Sequence, residues 1–184
     1  MRLIVAITGA SGVIYGVRLL EVLKELGGHE VYLIVTKSAL KILHHELDMS
    51  LKELEELCDK LYSEDLLEAP VASGSFLVDA MVVIPCSMKT LAAIANCYSS
   101  NLVARAAEVT LKERRRLIVV PRETPLTAAH IRNMLRVTVM GGVVLPACPA
   151  FYHKPKSVRE IVDFVVGKVL DLLNIRHNIF KRWE

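Results

Sequence analysis

Glutamine is absent from the 184 residues, and aromatic side chains make up only 5% of them. The missing thermolabile amide fits a chain selected at high temperature. With so few rings, the 53% hydrophobic content is carried mainly by Val, Leu, Ile and Ala, which excludes disordered and collagen-like classes. Cysteine is sparse as well. Cys58, Cys86, Cys97 and Cys148 show no CxxC spacing, so neither a zinc ribbon nor a redox dithiol is suggested and free buried thiols are expected. An excess of one charge sign is also lacking. The net charge of +3 suits neither a nucleic-acid footprint nor an acidic tail. No apolar run approaches the ~18 residues of a membrane helix, since the stretch from Ser75 to Cys86 is broken by Asp79 and Pro85. Met1 to Val5 leads straight into a strand-like run with no small-residue cleavage site, so we expect no signal peptide and a cytoplasmic protein.

What is present is one domain's length of aliphatic chain, 1–184. It is more apolar than a small globule needs, which predicts self-association. Five runs rich in β-branched residues read as strands: Leu3–Thr8, Val31–Thr36, Ala80–Pro85, Leu117–Pro121 and Val143–Pro146. Each is uniformly apolar, as in a parallel sheet covered on both faces. Helical periodicity fills Val13–Leu26, which stops at Gly27-Gly28, and segments near Met88–Ala95, Asn101–Arg114 and Thr127–Leu135. Ser50 with Glu53, and Ser157 with Glu160, have the spacing of capping boxes. The alternation predicts an α/β, doubly wound (Rossmann or flavodoxin-like), mostly parallel sheet with helices on both faces. Chemistry then belongs in the loops at the carboxyl ends of the strands.

Those loops are unusual in content. Thr8-Gly9-Ala10-Ser11-Gly12 follows the first strand and opens a helix, so it reads either as a tight turn or as an anion dock. It is neither GxGxxG nor GxxxxGK[ST], and the second strand ends in Thr36-Lys37-Ser38 without an acidic residue for a ribose, which disfavours NAD and ATP. The third loop, Pro85-Cys86-Ser87-Met88-Lys89-Thr90, gathers two hydroxyls, an ammonium and free helical N–H groups. Helix capping accounts for Ser87 but leaves Lys89 and Thr90 unexplained. Pro121-Arg122-Glu123-Thr124-Pro125 places a charged pair between prolines, as site chemistry or as a rigid loop. The fifth loop, Pro146 to Pro155, offers Tyr152 and His153, or is a stiff crossover with a buried ring. The only basic cluster, Lys112 to Arg116, suits a solvated helix end. Together these loops point to a phosphate-bearing cofactor or substrate, with more than one phosphate, and not to a reaction.

At these residues the sequence resembles the flavin prenyltransferases of the UbiX family. The resemblance is carried by the Thr8–Gly12 loop with Tyr15-Gly16, Ser73–Phe76, Pro85–Thr90, Asn101–Arg116, Pro121–Leu126, Met140–Gly142, Pro149–Pro155 and Arg182-Trp183. It runs from end to end. It implies a homo-oligomer, typically a dodecamer, that binds FMN between subunits and needs no metal. The reaction it implies joins the dimethylallyl group of dimethylallyl phosphate to N5 and then C6 of reduced FMN. The product, prenylated FMN, serves a UbiD-type decarboxylase.

Carried over by position, Gly9, Ala10 and Ser11 line the flavin, with Ser11 near N5. Thr36, where the family has serine, and Ser87, Met88, Lys89, Thr90 and Arg122 complete the FMN site. Tyr152 and Lys168, where some relatives have arginine, hold the dimethylallyl phosphate, and Arg105 and Lys112 add charge across a subunit boundary. Glu46 and Glu123 handle protons, unless Glu123 merely pairs with Arg122. Cys97 and Ser100 stand where the family has glycine and aspartate, and a glycine there suggests positive φ. The rival readings are a flavin-containing cysteine decarboxylase, whose family shows Pro-Ala-Ser-Ala-Asn-Thr at the third loop, and a non-catalytic FMN carrier.

Overall fold

The computed structural model describes residues 1–183. Six strands form one all-parallel sheet in the order β3-β2-β1-β4-β5-β6: β1 (Arg2–Ile7), β2 (Glu30–Val35), β3 (Lys60–Ser63), β4 (Ala80–Cys86), β5 (Arg116–Pro121) and β6 (Val143–Val144). Among the described residues seven α-helices accompany them: α1 (Val13–Leu26), α2 (Lys37–Leu47), α3 (Leu51–Glu55), α4 (Met88–Ala95), α5 (Leu102–Lys112), α6 (Ala128–Val139) and α7 (Val158–Leu172). The chain winds outward from β1 in both directions. Its topological switch point is therefore the crevice at the carboxyl ends of β1 and β4, where open α/β sheets bind ligands.

The uniformly apolar strands are explained by the two faces they cover. Leu3, Val5 and Ile7 pack into a core with α1 and α7, while Ile4 and Ala6 enter a second core with α4 and α5. All five are essentially inaccessible. The first core also holds Arg18, whose Nε donates to Asp163 Oδ1 at 2.6 Å and so ties α1 to α7. Arg18 also meets Glu21 at 3.1 Å and Glu25 at 3.3 Å, so its loss would leave buried Asp163 as the uncompensated charge.

Two elements lie outside the sequence expectations. β3 is a short edge strand, KLYS, in which only Tyr62 is buried, so it lacks the apolar run that marked the others. α2 follows Thr36 directly, and its signal was a threonine N-cap whose Oγ1 accepts the Ala39 N–H at 3.2 Å. β6 is two residues long rather than four. α6 runs on to Val139, past the expected Leu135. The Ser50–Glu53 capping box is complete, but at α7 Glu160 turns its carboxylate to the Lys156 N–H, leaving Ser157 to cap alone. Gly27 and Gly28 do take positive φ and end α1.

Candidate active site

The carboxyl-end loops are tied to one another through short polar contacts. Buried Thr8 donates its hydroxyl to the Pro85 carbonyl at 2.8 Å and accepts the Ser87 N–H at 2.8 Å, which fastens the first loop to the third. Arg122 Nε donates to the Ser11 carbonyl at 3.0 Å, joining the fourth loop to the first. Gly9 backs onto the second loop so closely that a Cβ would stand 2.2 Å from Ser38 Oγ. Glu64 then braces the second loop from outside, accepting the Lys37 N–H and the Asn101 amide, each at 2.7 Å. Thr8, Ser38 and Glu64 were not singled out by sequence. Thr8 and Ser38 lay within loops already marked at strand ends, whereas Glu64 offered no signal.

One anion dock expected from the sequence is filled by the protein itself. Gly12 takes the left-handed conformation that glycine allows (φ +93°) and opens α1 without a side-chain cap of its own. Glu46 reaches from α2 to supply one, accepting the Gly12 N–H at 2.9 Å and the Val13 N–H at 3.3 Å. Its carboxylate is thereby held beside Ser11. The start of α4 differs. Ser87 Oγ accepts the Thr90 N–H at 3.2 Å and its hydroxyl donates to Thr90 Oγ1 at 3.0 Å, so it is both a cap and a member of a hydroxyl pair. The N–H groups of Met88 and Lys89 remain as helix-start donors. The exposed Lys89 ammonium has no ion-pair partner among the described residues.

These donors suit a flavin phosphate. Lys89, the α4 N–H groups, the Ser87–Thr90 hydroxyls and the outer nitrogens of Arg122 combine charge with directed donors around one crevice. Arg122 makes no ion pair with Glu123. The Glu123 carboxylate instead accepts the Thr124 N–H at 3.0 Å and is otherwise open to solvent, so a purely structural Arg–Glu pair is not what this loop contains.

The remaining site residues lie elsewhere in the chain. Tyr152 stands edge-on to Trp183, with ring centroids 5.2 Å apart, and edge-on to Phe164. With His153, Lys154, Lys181 and Arg182 these two rings line a pocket of about 420 Å³. Lys168 lies 3.6 Å from Asp171, the carboxylate that also holds Arg182. On α5, Arg105 donates to the Ala72 carbonyl and pairs with Glu108, while Lys112 pairs with Glu113 against Gly74. Lys112 is at the wrong end of the sheet to meet Ser11 of its own chain. Arg115, three residues on, binds the carbonyls of Gly74 and Phe76 ahead of β4, at the sheet's amino edge.

Cys97 has φ +51°, so the backbone there does adopt the conformation that a glycine would take more cheaply. Cys86 is fully buried at the end of β4, and burial pushes its thiol far above the ordinary range. It is no nucleophile at neutral pH. Cys86→Ala is therefore expected to retain wild-type turnover while losing about 1 kcal/mol of stability to the small cavity. Complete loss of turnover in a variant that still binds flavin would contradict this.

The family model described as Flavoprotein matches residues 1–170. The flavin prenyltransferase UbiX of Methanocaldococcus jannaschii is 55% identical over 183 residues, spanning 100% of this chain and 98% of that protein. Among solved structures, a dodecameric FMN-dependent UbiX-like decarboxylase from Escherichia coli O157:H7 superimposes with a TM-score of 0.98 at 44% identity, covering 100% of both chains. AnUbiX (PadA1), solved in complex with FMN and dimethylallyl pyrophosphate, gives 0.97 at 44% identity, covering 100% of this chain and 97% of that one.

Proposed function

The chain belongs to the flavin prenyltransferases of the UbiX family, and on that premise we propose how its residues divide the work. The protein is a prenyltransferase with FMN as cofactor and prenyl acceptor. The supporting observation is the knot Thr8–Pro85–Ser87 with Arg122–Ser11, which gathers the loops of a whole-chain match around one crevice. When bound, reduced FMN supplies the nucleophilic N5 and the C6 at which the new ring closes.

Gly9, Ala10 and Ser11 form the floor against the flavin, and Thr36, Ser87, Met88, Lys89, Thr90 and Arg122 hold its ribityl phosphate. Thr36 is already engaged in capping α2, so its hydroxyl is pre-oriented and its added methyl is buried. Tyr152 and Lys168 receive the phosphate of the dimethylallyl donor, and Arg105 and Lys112 reach it from a neighbouring subunit. Cations set in place before the allylic C–O bond breaks stabilise the charge that develops on the leaving phosphate. Lys168 does so through a single ammonium rather than a bidentate fork. Ser11 and Glu46, juxtaposed by the start of α1, and the open Glu123 carry protons during substitution on the flavin. The allylic carbon needs a dry, π-rich enclosure, which the Tyr152 and Trp183 rings begin.

Assembly is supported by exposed apolar surface. Ile131, Leu135 and Val139 form a stripe along α6 at i, i+4 and i+8, with Leu126 beside them. A dodecamer like that of the E. coli relative would cover it. The product is passed in the cytoplasm to a UbiD-type decarboxylase. A cysteine decarboxylase is disfavoured by Lys89, and a mere FMN carrier would leave Glu123, Tyr152 and Lys168 without employment. Anaerobic incubation with reduced FMN and dimethylallyl phosphate, followed by mass analysis of the extracted flavin, is expected to show a gain of one isoprenoid unit. An unchanged mass with flavin demonstrably bound would refute the prenyl transfer.

A further inference from the structure

Beyond α7 the chain turns back along the helix it has just left. Phe180 lies so close to Gly167 that a Cβ there would stand 2.3 Å from its ring, and Phe180 packs edge-on against Phe164 at 5.2 Å. His177 is buried with it and places Nε2 3.0 Å from Asp171 Oδ1. Arg182 closes the return: its two outer nitrogens donate to the two Asp171 oxygens at 2.7 and 3.1 Å, and its guanidinium covers the Phe180 ring. The next residue is Trp183, edge-on to Tyr152. One carboxylate thus anchors the segment that ends in the only tryptophan.

We propose that Asp171 is a positioning residue for prenyl transfer: by clamping Arg182 in a bidentate pair it sets the Trp183 indole against Tyr152 and so builds the wall of the pocket that receives the dimethylallyl group. The proposal rests on the prenyltransferase reading. A fork-to-carboxylate pair fixes orientation as well as distance, whereas the apolar contacts of Phe180 alone anchor the segment three residues short of the indole. Asp171 touches neither ring. It acts through Arg182, and the partners that hold the carboxylate are His177 on one side and Lys168, 3.6 Å away, on the other.

The proximity of Lys168 makes the sign of the effect diagnostic. If Asp171 served only as a counter-charge to Lys168, its neutralisation would free the ammonium and tighten phosphate binding. If it positions the tail, the same change loosens the prenyl wall and weakens substrate binding. Asp171→Asn is therefore expected to raise KM for dimethylallyl phosphate about tenfold, as loss of one apolar contact surface does, with a smaller fall in kcat. In the flavin-free assembled protein the same variant is expected to show greater acrylamide quenching of Trp183 fluorescence and faster tryptic cutting at Lys181 and Arg182. Arg182→Gln, which removes the half-exposed end of the pair and leaves the buried His177 contact in place, should reproduce the raised KM, the greater quenching and the faster cutting at Lys181, the tryptic site it retains, and the double variant should add nothing further. A lowered KM, unchanged quenching, or additive losses in the double variant would each overturn the proposal. Failure of the wild-type protein to prenylate flavin would instead overturn the activity, because the quenching and proteolysis are read without flavin.

Discussion

Lys112→Ala and Arg122→Ala chains are each expected to lose about a hundredfold or more in turnover, as removal of a single charge-stabilising donor does. Equal mixtures of the two chains within one assembly are expected to recover about a quarter of wild-type turnover, because random pairing across a shared site leaves that share intact. The reason is distance. Arg122 follows the carboxyl end of β5 while Lys112 lies just ahead of its amino end, and six residues of strand separate those ends by about 20 Å. One chain cannot bring Arg122, for the flavin phosphate, and Lys112, for the dimethylallyl phosphate, into the same site. The measurement is co-expression with two different tags, purification through both, and flavin mass as the readout. A doubly tagged assembly no more active than its parents would place both residues in one chain's site and refute the shared arrangement.

Gly16→Val is expected to destabilise the fold by about 3 kcal/mol or more, through overpacking against backbone. A Cβ on Gly16 would stand 2.4 Å from the Ile84 carbonyl oxygen and 2.8 Å from Ile7 Cγ1. Neither neighbour can yield. The carbonyl belongs to β4, and Ile7 is the last residue of β1, the strand beside it. Any displacement moves Pro85 and Thr8, the pair that ties the first and third loops. Flavin affinity should therefore fall together with the denaturant midpoint, with an unchanged m-value. An unfolding free energy within about 0.5 kcal/mol of wild type would show that α1 can lift off the sheet, and would remove this account of why a glycine stands in the first turn of the helix.

The strands were legible because burial on both faces demands unbroken aliphatic runs, and Leu3 to Ile7 is such a run with every side chain inaccessible. β3 was not, because an edge strand needs only Tyr62 inside. The same contrast holds at the site. Ser87, Thr90 and Arg122 advertised themselves by lying just beyond strands. Glu46 was named only through family resemblance, as a proton carrier, since nothing local to α2 says that its carboxylate ends on the Gly12 N–H. Asp171 carried no signal at all: it is an ordinary acidic residue near the end of an amphipathic helix until Arg182 returns to it.

By itself the sequence determined the α/β architecture, the crevice in which the loops converge, the donor-rich composition of those loops and the flavin prenyltransferase family. These follow from local periodicity, from residue types at strand ends and from motifs in order along the chain. Tertiary structure alone decided which groups meet and which stand open. It placed Glu46 on the start of α1, left the Lys89 ammonium without an ion-pair partner among the described residues, separated Lys112 from Arg122 by the length of a strand, and folded Trp183 onto Tyr152. Each of those outcomes depends on which atoms meet across tens of residues, and hydrogen-bond and ion-pair energies are set by that distance and burial rather than by residue type.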